Sequence, residues 1–148
     1  MGLDMYLNAK RYLWRDKDKE IVDVINAEQI SGMANMRIKE LVCEAIYWRK
    51  SNQIHRWFVE HVQDGDDDCG EYDVSTEQLK ELADLCRQVL ADRGLASELL
   101  PVQEGFFFGS KDYEDWYYDD LKVTAEQIDR LLATEGIDRW EFTYRSSW

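Results

Sequence analysis

Alternation of apolar and polar residues predicts a β-strand near each end of the chain. Residues 3–13 and 140–145 place an apolar side chain at every second position, the period of a strand with one buried face. The apolar positions are Leu3, Met5, Leu7, Trp140, Phe142 and Tyr144. The first strand ends at a charged turn, residues 15–19, and we expect the apolar run at 20–25 to return as a second strand.

The middle of the chain gives weaker strand signals. Residues 36–48 alternate, but one face would mix apolar and acidic side chains, so a strand is predicted with a helix as the alternative. That face carries Ile38, Glu40, Val42, Glu44, Ile46 and Trp48. A brief strand is expected at residues 72–74 and another at 105–109, an apolar run between glycines. Residues 112–120 are expected to be irregular or a short strand.

Apolar residues at helical spacing predict three helices, each preceded by a capping residue. The first begins after Ser51 and ends at residues 64–65. The second begins at Ser75, with Gln78 completing a capping box, and Gly94 is expected to stop it. The third begins at Thr124, where Gln127 repeats the box, and is closed by Gly136. Their apolar stripes are Ile54, Trp57, Phe58 and Val62; Leu79, Leu82, Leu85, Cys86, Val89 and Leu90; and Ile128, Leu131 and Leu132.

Together these elements predict an α+β fold. We expect an antiparallel sheet of four to five strands packed with three helices, and a further helical turn at 96–100 before Pro101. The 148 residues show no internal repeat and no linker, so the prediction is a single domain, residues 1–148.

Charge is distributed unevenly along the chain. The whole chain has 18 basic and 31 acidic residues, a net charge of −13. Residues 1–60 hold ten basic and nine acidic residues, a net charge of +1. Residues 61–148 hold eight basic and twenty-two acidic residues, a net charge of −14. Because nucleic-acid binding depends on neutralising phosphates, this charge argues against direct nucleic-acid binding and against an anionic membrane as partner.

The cysteines and the amino-terminal segment favour a soluble, intracellular chain. Cys43, Cys69 and Cys86 are an odd number without framework spacing, which argues against a disulfide scaffold. The first residues lack the basic and long apolar regions of a signal peptide, and no stretch is long enough to span a membrane. We therefore expect a cytoplasmic location.

Residues 48–57 contain the first candidate site, for a small anionic ligand. The segment runs from a strand end into a helix N-terminus, where free backbone N–H groups and positive side chains favour an anion. A tryptophan at its start could stack on a planar group. The candidate ligand-binding residues are Trp48, Arg49, Lys50, Asn52, His55 and Arg56. The alternative is structural: the aromatic residues form core and the cations are solvated.

Residues 112–120 contain the second candidate site, an acidic and aromatic surface for a protein partner. Tyrosine and tryptophan are enriched at interfaces, and an array of carboxylates can steer a basic partner. The candidate protein-binding residues are Asp112, Tyr113, Glu114, Asp115, Trp116, Tyr117, Asp119 and Asp120. The alternative is again structural, with the aromatics in the core and the carboxylates merely solvated.

Other chemistry finds little support in the sequence. The acidic run 64–71 fails as a calcium loop, because Cys69 stands where glycine is needed and Ser75 where glutamate is needed. His55 and His61 are six residues apart, which suits no zinc site, so no metal site and no cofactor are predicted. Cys43 and Cys86 fall in core patterns, and acidic neighbours raise the expected pKa of Cys69. We assign no catalytic residue, although His55 could act as a base in a small hydrolase.

Three blocks of sequence resemble a family of small phage and prophage proteins. They are Met-Gly-Leu-Asp-Met-Tyr-Leu at the start; Tyr-Trp-Arg-Lys-Ser-Asn-Gln-Ile-His-Arg-Trp-Phe from residue 47, running on to Asp68-Cys-Gly; and Leu99-Leu-Pro with Gly105-Phe-Phe-Phe-Gly. The resemblance implies a phage context and a bacterial host, and it implies no mechanism.

Two hypotheses of function follow. The first is a non-enzymatic accessory protein for counter-defence or host takeover, which binds a host protein through its acidic, aromatic-rich face. The second is a protein that binds or sequesters a nucleotide-like anion through residues 48–57. The many aromatic residues are also consistent with a homodimer.

Overall fold

The computed structural model describes residues 2–25, 37–105, 108–110 and 112–148. Within them, four strands form one antiparallel sheet in the order β2-β1-β4-β3. The strands are β1 (Asp4–Tyr12), β2 (Glu40–Arg49), β3 (Glu71–Val74) and β4 (Glu141–Ser147). The predicted α+β class with an antiparallel sheet is therefore confirmed.

Five α-helices accompany the sheet in the described part of the chain. They are α1 (Lys19–Val24), α2 (Asn52–His61), α3 (Thr76–Ala91), α4 (Ala96–Leu99) and α5 (Asp115–Leu132). Short 3₁₀ turns at Arg93–Leu95 and Ile137–Arg139 precede α4 and β4. No helix of the described ranges has both the length and the apolar character needed to cross a membrane.

One face of the sheet carries the core. Alternate residues of β1 are buried, and their partners across the sheet, such as Ile46, Trp48 and Tyr144, are buried with them. A single hydrophobic cluster joins this face to α2, α3 and α5. The same alternation that predicted β1 and β4 therefore identifies the face on which the helices pack.

A β-bulge explains the mixed polarity of residues 36–48. Leu7 pairs with Ile46, whereas Asn8 pairs with Glu44, so Ala45 is an extra residue in β2. The extra residue reverses the alternation, which turns Ile46 and Trp48 to the core while Val42 and Glu44 lie on the opposite face. The predicted strand is confirmed. Even-numbered residues of β2 face the core after the bulge, whereas those before the bulge face the opposite side of the sheet.

The prediction of a strand at residues 20–25 is wrong, because this segment contains the helix α1. Val22 N–H donates to Asp18 O and Ile25 N–H to Ile21 O, which are helical bonds. Asp18 precedes the helix but its side chain does not cap it. That carboxylate is engaged instead by Arg11 and by the Trp14 N–H.

The start of the last long helix was also predicted wrongly. α5 begins at Asp115, so most of the segment expected to be irregular is helical, and Thr124 lies in the helix interior. Thr124 accepts a hydrogen bond from the Trp48 indole instead of capping. In the run 105–109, residues 106 and 107 lie outside the described residues, and Phe108 is buried without belonging to a strand.

The predicted helix boundaries are better around α2 and α3. Ser75 and Gln78 form both bonds of the capping box at the start of α3, which confirms that prediction. Ser51 precedes α2 as expected, although its side chain makes no capping bond. α3 ends at Ala91, so Gly94 lies in the following 3₁₀ turn, and Gly136, with φ of 76°, follows α5 after a short turn.

Candidate functional site

The predicted ligand site lies where β2 passes into α2. Lys50 adopts a left-handed conformation with φ of 58°, and its N–H donates to Leu3 O. This turn sends the chain from the edge of the sheet into a helix packed on the core face. The residues at its start are therefore divided between the interior and the surface.

Trp48 is a core residue. Only 5% of its surface is exposed, and its indole Nε1 donates to Thr124 Oγ1 over 2.9 Å. The ring also contacts Phe58, with centroids 5.8 Å apart. Trp48 therefore ties β2 to α2 and α5, and its ring does not face solvent.

Asn52 fastens a neighbouring loop to the start of α2. The side chain is fully buried and forms three hydrogen bonds with backbone groups. Its Oδ1 accepts from Gln103 N–H at 3.0 Å, and its Nδ2 donates to Phe108 O at 3.0 Å and to Ser110 O at 2.8 Å. A buried amide with its groups so occupied stabilises the loop and leaves little capacity for a ligand.

His55 belongs to a polar chain, Tyr144–His55–Asp67–Trp148, that runs from the buried Tyr144 and His55 to the exposed Trp148. The Tyr144 hydroxyl lies 2.7 Å from Nδ1, and Asp67 Oδ2 lies 3.0 Å from Nε2. The other Asp67 oxygen accepts from the Trp148 indole at 3.0 Å. A neutral imidazole that keeps both contacts with a carboxylate acceptor donates from Nε2 to Asp67 and accepts at Nδ1 from the Tyr144 hydroxyl.

The environment of His55 favours its neutral form. Burial lowers the pKa of His55 below its ordinary value, and the hydrogen bond and charge of Asp67 oppose this lowering. Burial also raises the pKa of Tyr144, whose ring is fully buried and stacked on Phe58 with centroids 3.8 Å apart. The arrangement has a tyrosine where a catalytic triad has a nucleophile, but neither Tyr144 nor His55 is accessible to a substrate.

Of the three cations of the predicted ligand site, Arg49 and Lys50 are exposed and Arg56 is half-buried. Arg49 lies 3.9 Å from Asp4, whereas Arg56 forms an ion pair of 2.7 Å with Glu60. Arg56 also donates to Val102 O, which adds a second attachment for the loop that Asn52 holds. Within the described residues, the six predicted residues are thus divided between the interior and the surface.

The predicted acidic surface lies at the start of α5, where one of its eight residues is buried and two are half-buried. Tyr117 is fully buried and its hydroxyl donates to Leu100 O at 2.7 Å. Asp120 is half-buried, which raises its pKa, and it accepts a long hydrogen bond of 3.4 Å from Gln53. The exposed carboxylates are those of Asp112, Glu114, Asp115 and Asp119, beside the exposed Tyr113 and the half-buried Trp116.

The acidic run 64–71 connects α2 to β3. Within this run, Asp67 forms a hydrogen bond with His55, and Asp68 accepts hydrogen bonds from Gly70 N–H and from the Tyr72 hydroxyl. Among the described residues, no group of three or more His, Cys, Asp and Glu is arranged to hold a metal ion.

The cysteines differ from one another in exposure. Cys86 is buried as predicted, and burial raises its pKa to about 12. Cys43 is exposed, so its predicted place in the core is wrong. It lies on β2, which is an edge strand of the sheet. Cys69 is partly buried.

Sequence reasoning missed an acidic groove of about 700 Å³ at one end of the sheet. The groove lies between the β3–α3 junction and the 3₁₀ turn that precedes β4. Its charged lining residues are all acidic: Asp73, Glu77, Asp138 and Glu141. Half-buried Ile137 and Trp140 contribute apolar surface to the same groove.

The carboxylates of this acidic groove have no cation within 4 Å among the described residues. The pKa of Glu77 is nevertheless lowered, by its own backbone N–H and the Thr76 hydroxyl foremost, with a smaller contribution from the more distant charge of Lys80. They come from two segments more than sixty residues apart in sequence, which is why no local motif marks the groove. The one signal available was the excess of acidic residues after residue 60.

Comparison of the chain with protein-family models, curated proteins and solved structures finds no match.

Proposed function

We propose that this chain is a binding protein that recognises a basic segment of a partner protein in its acidic groove. The observation that carries the proposal is a concave surface with four carboxylates, none of them in an ion pair among the described residues, and no lysine or arginine in its lining. Such a surface favours cationic partners and accelerates their association. The phage resemblance would make that partner a protein of a bacterial host.

The groove also offers a contact for the cation itself. Trp140 lines the groove beside Asp138 and Glu141. A lysine or arginine side chain placed over an indole gains a cation–π interaction, and arginine can bind a carboxylate through two parallel hydrogen bonds. Binding here would combine charge with an aromatic contact, the combination that the sequence predicted for residues 112–120.

Binding is proposed in preference to catalysis because of the position of His55. Its two ring nitrogens are occupied by Tyr144 and Asp67, and the ring has no exposed surface. A hydrolase that used His55 as a base would need a path for substrate to this ring. A small ligand at residues 48–57 is likewise disfavoured, because Trp48 and Asn52 have buried side chains engaged by the protein.

The test compares two variants that change the charge equally at two different places. The groove variant carries Asp73→Asn, Glu77→Gln, Asp138→Asn and Glu141→Gln. The matched helix variant carries Asp112→Asn, Glu114→Gln, Asp115→Asn and Asp119→Asn. Each takes the net charge from −13 to −9, four charges fewer.

Immobilised wild-type chain and both variants are exposed to bacterial lysate, and a captured protein is then purified for kinetic measurement. We expect the wild type and the helix variant to capture the same protein, with one molecule of that protein bound per chain. The groove variant should not capture it. The association rate of the purified pair should fall as NaCl rises, since the attraction is screened. Equal capture by the groove variant, or capture by none of the three, would contradict the proposal. Loss with the helix variant alone would move the interface to the start of α5.

A further inference from the structure

The end of β1 carries a basic and aromatic cleft in an otherwise acidic molecule. The cleft has a volume of about 400 Å³. It is lined by Arg11, Tyr12, Trp14, Lys17, Asp18 and Arg139. Three cations face one carboxylate, so the lining has a net charge of +2, against −13 for the whole chain.

The one carboxylate of the cleft is already neutralised from within. Asp18 is buried, lies 2.5 Å from the Arg11 guanidinium and accepts the Trp14 N–H at 2.8 Å. These contacts, the Trp14 N–H foremost, lower the pKa of Asp18, with burial opposing them. Arg11 is therefore committed to Asp18. The charge of Arg139 also lowers the pKa of Asp18, but among the described residues neither Arg139 nor Lys17 forms an ion pair within 4 Å.

Two aromatic rings line the cleft together with Lys17 and Arg139. Trp14 is 61% exposed and Tyr12 is 45% exposed, the former being the most exposed large apolar side chain of the described residues. The rings meet edge to face with centroids 4.8 Å apart, which fixes the orientation of the indole. An exposed but oriented indole offers a flat surface on which a planar ring can stack.

A second cavity adjoins the cleft across the same aromatic pair. It has a volume of about 290 Å³, shares Tyr12, Trp14 and Lys17 with the first, and adds Arg15, Asp16 and Arg37, so that cations still outnumber carboxylates in its lining. The Arg37 guanidinium lies 6.0 Å from the centre of the Tyr12 ring and donates to Leu13 O. Its Nε is buried and has no hydrogen-bond partner in the structure. The positive charge thus continues on the far side of the rings.

We propose that this cleft binds a nucleoside monophosphate or a closely similar planar phosphate, with the base stacked on Trp14 and the phosphate held by Lys17 and Arg139. A cleft of this volume falls within the range of about 300–1,000 Å³ typical of small-molecule sites. Guanidinium and ammonium groups bind phosphate oxygens through charge-assisted hydrogen bonds. The site is independent of the acidic groove and of the function proposed for it.

The charge of the remaining molecule favours a small ligand over a polymer. At physiological salt the Debye length is about 8 Å, so a mononucleotide in the cleft interacts mainly with the charges that line it, which sum to +2. A nucleic-acid strand would extend beyond the cleft onto a chain whose net charge is −13. That extension would meet repulsion, which is why we assign the site to a single nucleotide.

Isothermal titration calorimetry with AMP tests the proposal, with adenosine and inorganic phosphate as the two halves of the probe. We expect saturable binding of one AMP per chain, about tenfold or more tighter than either half alone. Trp14→Ala and Arg139→Glu should each weaken binding about tenfold. Tyr113→Ala and Arg130→Glu, which change an exposed aromatic and an exposed arginine elsewhere, should leave it within about twofold.

Circular dichroism first establishes that each variant is folded. Because Trp14 and Arg139 lie far apart in sequence, the two cleft variants test the site independently of each other. Absence of saturation at millimolar AMP, GMP, CMP and UMP would overturn the proposal. So would phosphate binding as tightly as AMP, or unchanged affinity in both cleft variants. Tighter binding of an oligothymidylate than of any mononucleotide would also overturn it, in favour of a single-stranded nucleic acid.

Discussion

At the residue scale, His55 is distinguished by its surroundings more than by its chemistry. A histidine in an amphipathic helix is compatible with a ligand site or with a structural role. The two hydrogen bonds and complete burial favour the structural role, because removing either partner would leave a buried polar group unsatisfied. The residue connects α2 to β4 through Tyr144 and to the acidic run through Asp67.

The buried position of His55 makes stability depend on pH. An unfolded chain protonates this histidine near pH 6.5, whereas burial holds its pKa lower in the folded protein. Between those two values the unfolded chain binds more protons, so the free energy of unfolding falls as pH drops below about 7. Each unit of lowering contributes about 1.4 kcal/mol.

His55→Gln removes the titrating group while keeping an amide that can donate and accept. Urea denaturation between about pH 5.5 and pH 7.5 should show a smaller pH slope for the variant than for the wild type. The variant should also be less stable at the upper end of this range, since glutamine cannot place both polar atoms as the ring does. Parallel pH profiles would refute the assignment.

At the element scale, the sequence predicts an element well where its own periodicity dominates. β1, β4, α2 and α3 follow their apolar spacing and were predicted with nearly correct bounds. α1 was missed because six residues are too few to separate a helical period from a strand period.

Two further elements were obscured by long-range packing. The first turns of α5 are predicted to be irregular because their aromatic and acidic residues show no clear helical spacing of apolar positions. In the fold, Tyr117, Leu121, Thr124, Ala125 and Ile128 form one buried helical stripe. The bulge at Ala45 depends on the partner strand, which no local pattern in β2 specifies.

The candidate sites show the same difference between what local sequence predicts and what long-range packing decides. Residue types at 48–57 and 112–120 were informative about chemistry, but burial decided their roles. Asn52 and Tyr117 are engaged in the interior. The acidic groove and the basic cleft are assembled from distant segments, so their composition becomes visible only after folding.

The capping box of α3 gives a prediction at this scale. Ser75 Oγ accepts from Gln78 N–H at 3.1 Å, and Gln78 Oε1 accepts from Ser75 N–H at 2.9 Å. Ser75→Ala should lower the free energy of unfolding by about 1 kcal/mol in urea denaturation, since one amide at the helix start loses its partner. Ser97→Ala, at an exposed position of α4, should change it by no more than about 0.5 kcal/mol. Equal effects of the two variants would show that the cap contributes nothing.

At the scale of the whole molecule, opposite charges are kept apart. The basic cleft lies at the end of β1 and includes Arg139, while Asp138 and Glu141 on either side of it in sequence line the acidic groove. The two surfaces thus diverge from one short segment before and within β4. Their separation lets a chain of net charge −13 present a locally positive site.

Repulsion among the excess carboxylates should lower the melting temperature, and added NaCl should reduce this effect. Self-repulsion in a chain of net charge −13 destabilises the compact state, and added salt screens it. Few of the ion pairs are buried, so screening them removes little stability. We therefore expect the melting temperature to rise by a few degrees as NaCl increases from low to physiological concentration, measured by calorimetry.

The groove variant defined above should melt at a higher temperature than the wild type at low salt and should respond less to NaCl. Removing four carboxylates relieves the same repulsion that salt screens, so the two effects cannot be fully additive. Glu77→Gln works in the opposite direction, because the fold favours the ionised form of Glu77 and lowers its pKa, so the net gain reflects mainly the other three changes. A melting temperature that falls with NaCl would mean that ion pairs outweigh self-repulsion in this fold. If the variant is stabilised and also loses its partner, the unpaired charges of the groove are retained at the expense of stability, which is what selection for binding would produce.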